Sequence, residues 1–229
     1  MENPPPRVRV ERIGHRGSPR ERKENTLPGF LLALEHGADA VELDVHATKE
    51  GVVVVHHDEA VGGTRIAETT WSALQQLDLG GGARIPRLRD VLEAIGERAT
   101  VYVELKGRDV EDSTIDVVRK HGHRFALHSF DHATIARVAA KAPDIARGIL
   151  FDSDVTNAAE ELRRAVVRTR PRDVWPHWSL VNPTFMAAAR EAKTRVIAWT
   201  VNSPVTANEL VKLGVHGLCS DDVRLLVNP

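Results

Sequence analysis

Short runs rich in Val, Ile and Leu alternate with longer amphipathic stretches along most of the chain. The runs at residues 8–13, 40–45, 100–105, 124–128, 145–151, 173–175, 195–200 and 217–220 predict β-strands. Several of them are apolar at consecutive positions, as strands covered on both faces are. Between them, apolar residues at helical spacing predict helices over 27–35, 89–95, 110–120, 132–141, 157–168, 183–192 and 204–213. Thr26, Asn182 and Ser203 stand at N-cap positions, each with a proline in the first turn that follows. Gly37 and Gly214 stand where a left-handed residue closes a helix.

Eight strands alternate with seven helices, which predicts a parallel sheet with crossover helices. The chain has 229 residues, close to the ~250 of a closed α/β barrel. The expected fold is α/β: a single (β/α)8 TIM barrel, one domain over residues 1–229, with the proline-rich residues 1–6 outside its packed body. A doubly wound open sheet is the main alternative, weakened by the lack of a G-x-G-x-x-G run after the first strand. One segment breaks the rhythm. Residues 51–57 read as an extra strand, and 61–86 carry two glycine clusters and a short helix near 71–77, so a small loop-rich insertion follows the second strand.

Composition narrows the class. Apolar residues make up 42% and charged residues 28%, which fits a globular protein. Lys and Arg number 31 against 32 Asp and Glu, leaving no basic excess to attract nucleic acid. No stretch approaches the ~20 apolar residues of a membrane span. The N-terminus has no apolar signal-peptide core, so a cytoplasmic location is expected. The single cysteine, Cys219, lies in an apolar run and reads as a buried core residue.

Active sites of such barrels gather at the C-terminal ends of the strands. The polar residues there are His15 and Arg16, Glu42 and Asp44, Glu104 and Lys106, His56 and His57, His128, His177, Trp199 and Asp221. Residues two apart on a strand share a face, so Glu42 aligns with Asp44 and Glu104 with Lys106. Leu43 and Leu105 then face the helices. Three carboxylates converging from neighbouring strands repel unless neutralised, and one divalent cation is the natural partner. All-oxygen ligation favours Mg2+ or Ca2+. His15 and His57 are the candidate acid and base, and by alternation only one of His56 and His57 enters the site. Arg16 and Lys106 bring positive charge suited to a phosphate diester. Taken singly, each of these residues is better read as an ion pair or a core group; the combination reverses that weighting.

The ordered segments resemble one family. They are Gly14-His15-Arg16-Gly17, Glu24-Asn25-Thr26-Leu27, Gly37 through Val45, Gly51 through Asp58, Ile85 through Leu88, Glu104-Leu105-Lys106, Ser129-Phe130-Asp131, Trp199 through Asn202, Gly214 through Gly217 and Ser220-Asp221. Together they resemble the glycerophosphodiester phosphodiesterases of the bacterial cytosolic type. The resemblance implies hydrolysis of a small-molecule glycerophosphodiester to sn-glycerol 3-phosphate and an alcohol. It implies general acid and base roles for His15 and His57, and metal ligation by Glu42, Asp44 and Glu104. It also implies phosphate contacts from Arg16 and Lys106, an apolar wall from Trp199, and support from Glu24 and Asn25. Lys23 in place of proline, the altered residues 60–64 and His128 depart from the family pattern at the rim. Other readings are a related barrel phosphodiesterase of lysophospholipase D or phosphatidylinositol phospholipase C type, a Schiff-base enzyme using Lys106, and a non-catalytic binding module. The presence of every expected site residue speaks against the last.

Overall fold

The computed structural model describes residues 9–107 and 109–226, so Val8 of the first expected strand and residues 1–6 lie outside the described residues. The strands are β1 (Glu11–Gly14), β2 (Ala40–Ala47), β3 (Val53–Val55), β4 (Ala60–Val61), β5 (Thr64–Arg65), β6 (Thr100–Leu105), β7 (Phe125–Ser129), β8 (Arg147–Phe151), β9 (Asp173–Pro176), β10 (Arg195–Ala198) and β11 (Gly217–Ser220). The helices are α1 (Leu27–Glu35), α2 (Trp71–Leu74), α3 (Leu88–Ile95), α4 (Glu111–His121), α5 (His132–Lys141), α6 (Ala158–Thr169), α7 (Pro183–Glu191) and α8 (Pro204–Leu213).

Eight strands run parallel in the order β1-β11-β10-β9-β8-β7-β6-β2, and β1 pairs with β2 to close the barrel. That closure is short: β1 reaches only Ala40 and Val41 of β2. The far end of β2 is taken instead by β3, antiparallel, on Val45, His46 and Ala47. The expected extra strand is therefore real, and it covers an edge that would otherwise be left open.

The period of two along the strands builds the barrel in layers. One residue from each of the eight barrel strands fills the centre: Ile13, Ala40, Tyr102, Ala126, Leu150, Trp175, Ile197 and Cys219. Three small residues, Ala40, Ala126 and Cys219, make room among the five large ones. Trp175 fits because β8 carries Gly148 beside it, where an added Cβ would lie 3.1 Å from the indole ring. The alternate residues, including Leu43, Val45, Val103, Leu105 and Leu127, face outward and pack under the helices. In β3, Val53 and Val55 join that outer layer, while Val54 turns to a separate small core with Val61, Ile66, Leu74 and Ile85. The insertion after β2 is thus packed around an apolar centre of its own.

Helix ends follow their sequence signals with one exception. Asn182 accepts from Phe185 N at 3.0 Å and Ser203 from Thr206 N at 3.3 Å. Thr26 sits at the cap position of α1, but its hydroxyl donates to Lys23 O at 2.6 Å and so closes the preceding turn instead. The tenth strand stops at Ala198, two residues short of the expected end, and Trp199 keeps only a bridge to His177.

The N-terminal end of the barrel is sealed by charge. Asp173 is fully buried and pairs with Arg172 at 2.6 Å and with Arg195 at 3.3 Å. Arg195 also reaches Glu11 at 2.6 Å, and the Tyr102 hydroxyl donates to the same Glu11 oxygen at 2.8 Å. Two acids and two arginines balance there. Asp173→Ala should destabilise the fold by about 3 kcal/mol, as expected for an arginine pair that loses its buried partner. Chemical denaturation of the two proteins measures that difference.

Candidate active site

Two residues beyond the apolar plug, each strand brings a histidine, a carboxylate or, once, a tryptophan to the C-terminal mouth. Past Ile13 comes His15, past Ala40 Glu42, past Tyr102 Glu104, past Ala126 His128, past Leu150 Asp152, past Trp175 His177, past Ile197 Trp199, and past Cys219 Asp221. Most of them line one cavity of about 380 Å³, with Arg16, His57, Lys106 and Phe130.

The carboxylates sit deepest. Glu42, Asp44 and Glu104 are all buried. Asp44 and Glu104 are direct partners across the β2–β6 ladder, and Glu104 is the partner of His128 across β6 and β7. Donor atoms of Glu42, Glu104 and His128 lie within 4.8 Å of one another. His128, expected at the rim, is instead buried at the centre because it follows the plug residue Ala126 by two positions; it packs edge-on against Trp175 at 4.5 Å between centroids and leaves both ring nitrogens without a hydrogen-bond partner. Its Nε2 stands 3.7 Å from Glu42 Oε1.

These groups do not titrate alike. Burial would raise Glu42, but His128, His15 and Arg16 together hold it below the usual carboxylate range. Glu104 goes the other way. Burial, then the charges of Asp44 and Glu42, push it up to about 7 despite Lys106. A carboxylate that resists ionisation beside two others marks a place short of positive charge.

Asp44 already has partners. Asn25 Nδ2 donates to it at 2.8 Å, Arg16 Nε lies 3.3 Å away and Lys106 Nζ 3.6 Å. Lys106 is also 3.2 Å from Glu104. Lys106 is thus the ion-pair partner of two carboxylates, not the isolated amine in an apolar pocket that a Schiff-base lysine requires.

His15 and Arg16 are presented by a tight loop. Gly14 and Gly17 allow it: at Gly14 an added Cβ would lie 2.6 Å from Gly17 O, and at Gly17, with φ +90°, it would lie 2.7 Å from the Gly29 backbone. Arg16 itself is left-handed, at φ 51°. Such a residue persists only where its surroundings hold it. Here its N–H donates to Glu42 at 3.1 Å and its carbonyl accepts from Asn25 N at 3.0 Å. Asn25, fully buried and also left-handed at φ 57°, completes the clamp by accepting from Asp44 N at 3.3 Å. Glu24 flanks Arg16 from the open side at 3.3 Å.

Each candidate acid–base histidine has a carboxylate behind it. His15 Nδ1 is 2.7 Å from Asp221, which is itself fixed by Asn202 at 2.6 Å. Burial disfavours the His15 cation, but the Asp221 hydrogen bond and the charge of Glu42 outweigh it and raise the imidazole above its ordinary value. His57 Nδ1 is 2.8 Å from Asp58, and the His57 carbonyl pairs with His46 Nε2 at 3.1 Å. His57 lines the cavity and His56 does not. Strand alternation had no part in that choice, because β3 ends at Val55.

The opposite wall is apolar. Trp199 packs edge-on against Phe130 at 5.3 Å and against His177 at 5.6 Å, with its indole N–H donating to Trp175 O at 3.0 Å. All ten residues singled out from sequence lie at this mouth: His15, Arg16, Glu42, His57, Glu104, Lys106 and Trp199 as lining, with Glu24, Asn25 and Asp44 tied to Arg16. The sequence reading gave no role to Asp221, Asp58, Asp152 or Phe130. Asp221 was placed at this mouth by the sequence, without a role; counting two residues past each buried plug position would also have found Asp152.

Among the described residues, no helix is long and apolar enough to cross a membrane. Residues 15–225 match the model of the glycerophosphoryl diester phosphodiesterase family. A glycerophosphodiester phosphodiesterase of Caldanaerobacter subterraneus is 29% identical over 236 residues, covering 94% of this chain and 96% of its own. The solved glycerophosphodiester phosphodiesterase of Thermotoga maritima superposes with a TM-score of 0.82 at 27% identity, covering 95% of this chain and 97% of its own. A phosphodiesterase of Oleispira antarctica, solved with the product sn-glycerol 3-phosphate, gives 0.84 at 25% identity over 94% of each chain. With its closed barrel and this mouth, the chain belongs to the glycerophosphoryl diester phosphodiesterase family.

Proposed function

We propose that this enzyme hydrolyses glycerophosphodiesters to sn-glycerol 3-phosphate and an alcohol, in a cation-dependent reaction with His15 and His57 as proton-transfer groups, and that residues 1–229 work as one barrel domain. The observation that carries this reading is the meeting of two carboxylate-backed histidines, two cations and three buried carboxylates in one cavity.

The residues fit a bound divalent cation. Burial and the neighbouring Asp44 and Glu42 charges hold Glu104 up to about 7, and His128 offers an unpartnered nitrogen to the same space. Glu42, Asp44 and Glu104 would hold the ion, with His128 as a further donor. Three carboxylate ligands favour Mg2+ or Ca2+. When bound, the ion withdraws charge from the non-bridging phosphate oxygens and lets the carboxylates ionise together.

The side chains then divide the work. Arg16 offers donors to one non-bridging oxygen, and Lys106 places a point charge near the other. Asn25 and Glu42 hold the Arg16 backbone in its left-handed pose, and Glu24 orients its guanidinium. His57, oriented by Asp58, takes the proton of the attacking hydroxyl as its oxygen bonds to phosphorus. His15, kept protonated by Asp221, gives its proton to the alcohol oxygen as the phosphorus–oxygen bond breaks. Trp199 forms the apolar side of the pocket and limits water.

Release of sn-glycerol 3-phosphate from mixed glycerophosphodiesters tests the reaction. Activity should vanish in EDTA and return with Mg2+ or Ca2+; full activity in EDTA would rule out the cation. His15→Ala and His57→Ala should each lower kcat by about 10²–10⁴-fold with little change in KM, the range for losing a general acid or base. Glu42→Ala should lose turnover and weaken cation binding, which calorimetry of the ion alone reads independently of activity.

A further inference from the structure

The cavity has two unlike halves. Arg16, Lys106 and the carboxylates crowd one side, where the phosphate belongs. The other side is made by Phe130, Leu150, Trp175 and Trp199, with Asp152 as its single charged group. Asp152 enters because it follows the plug residue Leu150 by two positions. The adjacent turn holds it in place: Ser153 N donates to its Oδ1 at 2.6 Å and Ser153 Oγ at 3.2 Å. Among the described residues, no Lys, Arg or His comes within ion-pair distance of it, whereas Glu42, Asp44, Glu104 and Asp221 each have a cationic or imidazole neighbour.

Apart from the Asp152 carboxylate, this wall offers no polar group to a sugar or polyol. The Trp199 N–H is spent on Trp175 O, and Phe130 and Leu150 have no polar atoms. Trp175 Nε1 is unpartnered but is turned against Gly148 inside the barrel. What remains are aromatic faces and edges, and one carboxylate with no cation in ion-pair contact, whose charge is felt by the neighbouring His177 ring. Aromatic faces attract cations through the ring quadrupole, and the carboxylate adds a full charge. We propose that the Phe130–Trp199–Asp152 wall is a subsite for the leaving alcohol, and that it selects an alkylammonium alcohol over a neutral one. The proposal rests on the hydrolysis described above. It assigns Asp152 to substrate choice, with the chemical step left to His15 and His57.

Turnover of four glycerophosphodiesters, bearing choline, ethanolamine, glycerol or inositol, tests this in the wild-type enzyme and in Asp152→Asn. Asp152 is exposed on a turn, so the isosteric change should leave the fold intact. The wild type should favour the two charged alcohols by about tenfold in kcat/KM, the size of a partly desolvated cation–aromatic contact. Asp152→Asn should remove that preference through KM and leave the neutral substrates unchanged. Choline ahead of ethanolamine would assign the selection chiefly to the aromatic wall; the reverse would assign it chiefly to the carboxylate. Equal turnover of all four by the wild type, or an equal loss on all four in the variant, would overturn the subsite while leaving the hydrolysis standing. If none of the four is hydrolysed, the reaction itself is wrong. Quenching of tryptophan fluorescence by free choline then decides the subsite, which requires it in the wild type and its loss in Asp152→Asn.

Discussion

Three carboxylates buried within reach of one another at the mouth of a barrel are the constraint around which the rest of this molecule is arranged. Like charges so placed cannot all ionise without compensation. Arg16 and Lys106 supply part of it, and Glu104, pushed up to about 7, registers what is missing. The left-handed pose of Arg16, the clamp from Asn25 and the glycines on either side of His15 follow from the need to bring a guanidinium down onto Asp44. Strain at that loop is offset by hydrogen bonds to the acids it serves.

The two ends of the barrel make opposite use of charge. At the N-terminal end, Glu11 and Asp173 meet Arg172 and Arg195, and each group has a partner close at hand. That end is closed and balanced, as expected of a face that only stabilises. At the C-terminal end the acids outnumber the cations, and His128 leaves both ring nitrogens unsatisfied. A buried polar group without a partner costs free energy, so its persistence points to a ligand. Between the two ends lies one apolar layer, with Trp175 and Tyr102 at its widest part. Beneath the buried carboxylates this layer supplies a medium of low dielectric, which strengthens every charge interaction above it.

Sequence alone determined a great deal. Apolar runs and helix signals defined eight strands and the seven helices between them, and the spacing E-x-D and E-x-K put Glu42, Asp44, Glu104 and Lys106 on inward faces, because alternation along a strand is a local property. The order of segments from Gly14 to Asp221 carried the family. Local rules were weaker at element ends. Thr26 looked like a cap yet bonds to Lys23 O, and strand alternation could not choose between His56 and His57 once β3 stopped at Val55. What only the tertiary structure decided are meetings of residues far apart in the chain: Asp221 behind His15, His128 beside Glu42, and Asp152 lining the same cavity as Trp199. Those depend on how eight strands close and in what register. Closure is a sum of long-range contacts that no local window of the sequence contains.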